Sequence, residues 1–221
     1  VFASAADSEL AMLAAAADRT GSQDLRLANF LRLSHNLSVD LWLDQTVRHA
    51  RLVVVRLLGG PSYWQYGVDE LTALALAGTI DLVLLPGDAN PDPLLRQRST
   101  IHPDDWSRLH SLFTAGGPAN TDTLLAAFAA LSQSPSSPQD REGRLHDLAP
   151  RPFPRFGLWS PEQGMVDADY FAPTGERPPI PILFYRAALE GASTATLEAL
   201  VTELGARGLT PIPIVVSSLK E

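Results

Sequence analysis

Arg56-Leu57-Leu58-Gly59-Gly60-Pro61-Ser62-Tyr63-Trp64-Gln65-Tyr66-Gly67 gathers a cation, two adjacent glycines and three aromatic rings in one short stretch. Adjacent glycines let backbone come close to a ligand. Tyr63, Trp64 and Tyr66 offer faces for a flat ring, and Arg56 suits a carboxylate or an amide-bearing ligand. The competing reading is structural: the glycines make a turn, the aromatics pack the following helix, and Arg56 pairs with one of the 25 acids. His35-Asn36 and Pro86-Gly87-Asp88 follow two other strand-like runs, and Tyr185-Arg186 repeats the position of Val55-Arg56 further along. The candidate substrate-binding residues are therefore His35, Arg56, Gly59, Gly60, Tyr63, Trp64 and Arg186, with no catalytic residue and no metal ligand among them.

Other chemistries find little support. The chain carries no GxGxxG after a strand, no GxxxxGK[ST], no HExxH and no GxSxG, which argues against P-loop hydrolysis and simple dinucleotide binding. His102 and His110 are a poor match to the i, i+4 spacing of two ligands on one helix face. Asp104-Asp105 complements a helix N-terminus, and Asp167-Ala168-Asp169 sits in Pro-rich surface chain, so neither pair reads as a general acid and base.

Composition narrows the partners. With 221 residues and 45% hydrophobic content the chain is long enough for one large domain or two small ones. The net charge of −8 repels phosphate, so neither a nucleic acid nor an anionic membrane is an expected partner. No apolar run reaches the roughly 18 residues needed to cross a bilayer. Cysteine is absent, which excludes disulfides, thiolate metal sites and thiol chemistry. A single lysine, Lys220, leaves little room for Schiff-base chemistry.

These residues must be positioned by the elements around them. Val1 to Ala5 reads as a short strand, and Asp7 or Ser8 as the cap of a helix bearing Leu10, Leu13, Ala14 and Ala17. Leu25 to Leu33 is a second strand candidate. Ser38 opens a helix with Val39, Trp42, Leu43, Val47 and Ala50 on one face. Arg51 to Leu58 and Ile80 to Leu85 suit strands buried on both faces, separated by a helix bearing Val68, Leu71 and Leu74. The order βαβαβαβ points to an α/β fold: a parallel-sheet, Rossmann- or flavodoxin-like first domain. Two helices, after Pro103 and after Pro118, extend that domain to residue 132.

Ten of the 18 prolines fall between Ser134 and Pro181, so 133–181 reads as an irregular Pro-rich connection. A second α/β unit starts at Ile182-Leu183-Phe184-Tyr185, continues through a helix capped by Ser193 or Thr194, and ends with Pro211 to Val216. Two strands and a helix cannot cover both their faces. Either they join the first sheet or 182–221 is the truncated start of a second domain, and the missing Met and abrupt end favour the latter.

Several strings taken together carry a family resemblance. They are Leu25 through Leu41, including Leu33-Ser34-His35-Asn36-Leu37, then Val53-Val54-Val55-Arg56-Leu57-Leu58-Gly59-Gly60 and Tyr63-Trp64-Gln65-Tyr66-Gly67. Leu84-Leu85-Pro86-Gly87-Asp88 and Pro211 through Lys220 extend the match. With these strings the chain resembles the N-terminal region of the cobaltochelatase large-subunit (CobN) family, which includes the magnesium chelatase H subunit. The resemblance implies a fragment of a tetrapyrrole-binding subunit, inactive by itself and without a cofactor of its own. The reaction it implies is insertion of Co2+, as substrate, into hydrogenobyrinic acid a,c-diamide during cobalamin synthesis in the cytoplasm. The implied partners are AAA+ subunits of CobS and CobT type that bind ATP and Mg2+, and the catalytic residues are expected in later parts of the subunit. A magnesium-chelatase H-type fragment and a stand-alone flavodoxin-like binding or interaction module are the alternatives.

Overall fold

A computed structural model describes residues 1–133, 143–171, 177–191 and 194–217. The chain divides into two compact units, Val1–Arg151 and Pro152–Glu221.

The first unit runs β1 (Phe2–Ser4), α1 (Asp7–Thr20), β2 (Leu27–Asn29), α2 (Asn36–Gln45), β3 (Leu52–Leu57), α3 (Gln65–Leu76), β4 (Asp81–Pro86), α4 (Pro93–Arg98), α5 (Pro103–Ala115) and α6 (Pro118–Ser132). Its sheet has the order β2-β1-β3-β4, every neighbouring pair parallel. Burial on both faces explains the apolar runs of β3 and β4. Val54, Val83 and Leu85 face one layer with Phe2, Trp106, Leu109, Leu124 and Phe128. Val53, Val55, Leu82 and Leu84 face the other with Val39, Leu43, Val68 and Leu71. The expected parallel α/β first domain is thus present. Its α5 and α6, expected as an extension, instead cover one face of the sheet, because Trp106, Leu109, Phe113 and Phe128 line one side of each helix.

Three local expectations are corrected. Strand β2 stops at Asn29 rather than Leu33, because the Asn29 side chain accepts from Leu31 N–H at 3.0 Å and turns the chain into a 3-10 helix, Phe30–Arg32. Neither Asp7 nor Ser8 caps α1: Ala6 holds the N-cap position, and Asp7 and Glu9 occupy the first turn. Ser38 lies inside α2, whose N-cap is His35. The α4 helix was not expected from the sequence. Asp92 caps it, accepting from Leu94 N–H at 2.8 Å and Leu95 N–H at 3.2 Å, with Pro93 in its first turn.

The second unit contains β5 (Phe156–Ser160), β6 (Gly164–Val166), β7 (Pro179–Tyr185), α7 (Ala187–Glu190), α8 (Ala195–Ala206) and β8 (Thr210–Val216). Its sheet has the order β6-β5-β8-β7, with β7 and β8 parallel and the other pairs antiparallel. The stretch expected as irregular connection therefore contains the β5–β6 hairpin, and β7 begins at Pro179 instead of Ile182. The late strands do not join the first sheet; β8 pairs with β5 and β7 with β8, over a core of Trp159, Leu189, Leu197 and Val215. Prolines survive in β8 because β5 pairs only with Ile214, Val215 and Val216, beyond Pro213. The proposed Ser193 cap lies outside the described residues.

Candidate functional site

The four parallel strands of the first unit all end at one edge, where an open α/β sheet places its ligand-binding loops. The chain passes from β1 outward to β2 and then crosses to β3, so the switch point lies between the carboxyl ends of β1 and β3. Ser4 and Arg56 are direct register partners at that point. Both are buried, and a carboxylate from α1 joins them. Ser4 Oγ donates to Glu9 Oε2 at 2.6 Å, Arg56 Nη1 ion-pairs with Glu9 Oε1, and Arg56 Nε and Nη2 donate to the Pro86 carbonyl at 3.2 and 3.1 Å. The guanidinium also lies 4.6 Å from the Phe113 ring centroid. Arg56 thus ties three elements together. The crevice that often receives a phosphate in such folds presents Asp7 and Glu9 from the first turn of α1.

The loop after β3 turns at Gly59 and Gly60, whose φ angles of 92° and 79° disfavour any residue with a Cβ. Trp64 follows and is buried. Its indole stacks on Phe30 with centroids 5.0 Å apart, meets Trp42 at 5.9 Å, and donates from Nε1 to the Leu33 carbonyl at 3.4 Å. Tyr63 makes an edge contact with Phe30 and stays half exposed. It is the loop ring left with a free surface. Tyr66 donates to Asp40 Oδ1 at 2.7 Å, and that bond raises its hydroxyl pKa to about 12. At the far end of the loop, the Gln65 side chain and Arg98 hold the Asp69 carboxyl below its ordinary range.

A pocket of about 290 Å³ lies beside these rings, lined by Phe30, Leu33, Ser34, Asn36, Tyr63 and Trp64 among others. His35 is exposed at the start of α2, its carbonyl accepting from Ser38 and Val39 N–H. Arg56, Gly59, Gly60, Tyr63, Trp64 and His35 therefore belong to the carboxyl edge of one sheet. Arg186 belongs to the second unit, where its Nε donates to Glu190 Oε1 at 2.7 Å and its guanidinium lies 5.2 Å from the Phe153 ring. Sequence reasoning missed Glu9 as the partner of Arg56, although an acid in the first turn of a helix that follows a strand was the available signal.

The edge offers a half-exposed ring, a pocket of mixed polar and apolar lining and loop backbone, which suit binding or docking. Among the described residues no group of three histidine or carboxylate side chains is placed to hold a metal ion. No described helix is long and apolar enough to cross a membrane.

Comparison with known proteins gives consistent matches. The CobN/Magnesium Chelatase family model matches residues 110–221. The aerobic cobaltochelatase subunit CobN of Sinorhizobium sp is 38% identical over 232 residues, spanning 100% of this chain and 18% of the relative. The subunit of the same name from Pseudomonas aeruginosa is 35% identical over 219 residues, spanning 97% of this chain and 17% of the relative. The catalytic subunit of cobaltochelatase from Mycobacterium tuberculosis is a structural match with TM-score 0.68 and 27% identity, covering 99% of this chain and 16% of that one. The chain thus spans less than a fifth of the length of the relatives it matches.

Proposed function

The chain belongs to the CobN/magnesium chelatase family, and on that premise we propose that it is the N-terminal part of the tetrapyrrole-binding subunit of an ATP-dependent cobalt chelatase. The subunit would receive hydrogenobyrinic acid a,c-diamide and Co2+ as substrates in cobalamin synthesis in the cytoplasm, with ATP hydrolysed on AAA+ partners of CobS and CobT type. The observation that carries this reading is a likeness covering 99% of the chain, and hence both of its units, with TM-score 0.68.

The part proposed for these residues is to shape the approach to the tetrapyrrole or to dock partners, with chemistry left to the rest of the subunit. The filled switch point supports this over a phosphate-binding, flavodoxin-like module. A ligand phosphate there would meet Asp7 and Glu9, and Arg56 is already engaged by Glu9 and Pro86.

The test reconstitutes the full-length subunit with its AAA+ partners, ATP and Mg2+, and follows metal insertion by absorbance. Insertion of Co2+ into hydrogenobyrinic acid a,c-diamide supports the reading. Insertion of Mg2+ into a porphyrin, with cobalt excluded, replaces it with the H-type alternative. A parallel titration follows quenching of the four tryptophans of the 221-residue chain by the same tetrapyrrole. Saturable quenching places part of the substrate site in this region; binding only by the full-length subunit assigns it to scaffolding or docking.

A further inference from the structure

Beside the carboxyl end of β4, helices α4 and α5 border a cavity of about 630 Å³, apart from the loop described above. Its apolar wall includes Ile101 and Trp106. Trp106 is held rigidly, its Nε1 donating to the Leu84 carbonyl at 2.7 Å. One helical turn on, His110 stacks against Trp106 with centroids 5.5 Å apart and planes at 16°. His110 Nε2 faces the Asp88 carbonyl at 3.2 Å, so in the neutral ring Nε2 donates and the other ring nitrogen remains an acceptor.

The charge in the cavity comes from α4. Arg96 is exposed, lies 5.9 Å from the Trp106 ring centroid, and makes no ion pair with any described residue. Arg98, on the same helix, is by contrast engaged by Asp69 at 2.9 Å. The acid that also lines the cavity, Asp92, is occupied in capping α4. Gln97, which also lines the cavity, adds a carboxamide.

We propose that this cavity is a binding site for a small organic monocarboxylate with an apolar body. The carboxylate meets the Arg96 guanidinium with Gln97 beside it, and the body lies along Ile101, Trp106 and the His110 ring. The volume falls in the range of small-molecule sites. One guanidinium in a chain of net charge −8 matches a single negative charge better than a phosphate dianion. The proposal stands independently of the chelatase reading. Because Arg96 is solvent-exposed, its contact with a carboxylate is weak, and affinity on the order of millimolar is expected.

The probe is 3-phenylpropionate, titrated into the 15N-labelled 221-residue chain while the Trp106 indole N–H and the His110 ring resonances are followed. A saturable shift of both is expected. Arg96→Ala should weaken binding roughly tenfold, and Arg98→Ala should leave it unchanged. The neutral alcohol 3-phenylpropanol should bind the wild-type chain roughly tenfold less tightly, a comparison that needs no variant to fold. The proposal is overturned by the absence of a saturable shift at Trp106, by equal affinity for acid and alcohol, or by a folded Arg96→Ala chain that binds as the wild type does.

Discussion

Arg56 and Glu9, 47 positions apart in the chain, form an ion pair across the carboxyl ends of β1 and β3, with side-chain exposures of 8% and 17%. The pair closes the place where a parallel α/β sheet most often opens to a ligand. A buried charge left without its partner is costly, whereas the intact pair contributes little by itself. Arg56→Met should therefore destabilise the chain by about 3 kcal/mol, since it strands Glu9 and removes both donors to the Pro86 carbonyl. Glu9→Gln should cost about 1–2 kcal/mol, because the amide oxygen can accept from Arg56 while its NH2 donates to the Ser4 hydroxyl, and Arg56 keeps Pro86. Urea unfolding of the single and double variants measures both values. Additive effects in the double variant would remove the pair from this account.

Tyr63 and Trp64 are adjacent but do opposite work. Trp64 fills the space between Phe30 and Trp42, so Trp64→Ala should cost about 3–4 kcal/mol of stability. Tyr63 is 50% exposed, and Tyr63→Ala should cost less than about 1 kcal/mol. In the full-length subunit, a loss of tetrapyrrole affinity in Tyr63→Ala with an unchanged unfolding midpoint would mark a ligand contact. Affinity equal to wild type in that variant would reduce the ring to a surface residue.

What could be read from the sequence follows from how local each determinant is. Strands β3 and β4 announce themselves because burial on both faces leaves uninterrupted apolar runs. The end of β2 does not, because an asparagine side chain bonding two residues on overrides the apolar pattern of Leu25 to Leu33. The β5–β6 hairpin is obscured by the prolines around it, and its pairing with β8 spans more than fifty residues, too far for any window to register. The site divides in the same way. Gly59-Gly60 and the aromatic cluster are legible as a turn and a set of rings, but which ring packs and which stays exposed depends on Phe30, brought in by another strand. The partner of Arg56 is likewise a tertiary fact.

Gly67 offers a test in which two local preferences oppose each other. It lies in the first turns of α3, where alanine is a better helix former by about 1 kcal/mol. A Cβ at this position, however, would sit 2.3 Å from the Trp64 indole ring. That ring is stacked on Phe30 and in contact with Trp42, so shifting it loses packing. Steric overlap should win, so Gly67→Ala should destabilise the chain by about 1–3 kcal/mol and alter tryptophan fluorescence. A neutral or stabilising outcome in urea would show that the Trp64 ring is free to move.

The Tyr66–Asp40 bond predicts a pH response with a definite sign. The tyrosine hydroxyl donates to Asp40 Oδ1 at 2.7 Å, and removing its proton would set two negative oxygens against each other. In the folded chain its pKa rises from the ordinary 10.0 to about 12, with that hydrogen bond as the largest cause. A folded pKa above the unfolded one means that the bond's contribution to stability is fully present below pH 10.0 and is lost as the pH climbs toward 12. Tyr66 should therefore titrate late in the ultraviolet. Asp40→Asn removes the charge while keeping an acceptor, and should bring the midpoint back toward 10.0. A Tyr66→Phe chain supplies the difference spectrum that isolates the signal. If that difference titrates near 10.0 in the wild type, the hydrogen bond does not persist in solution.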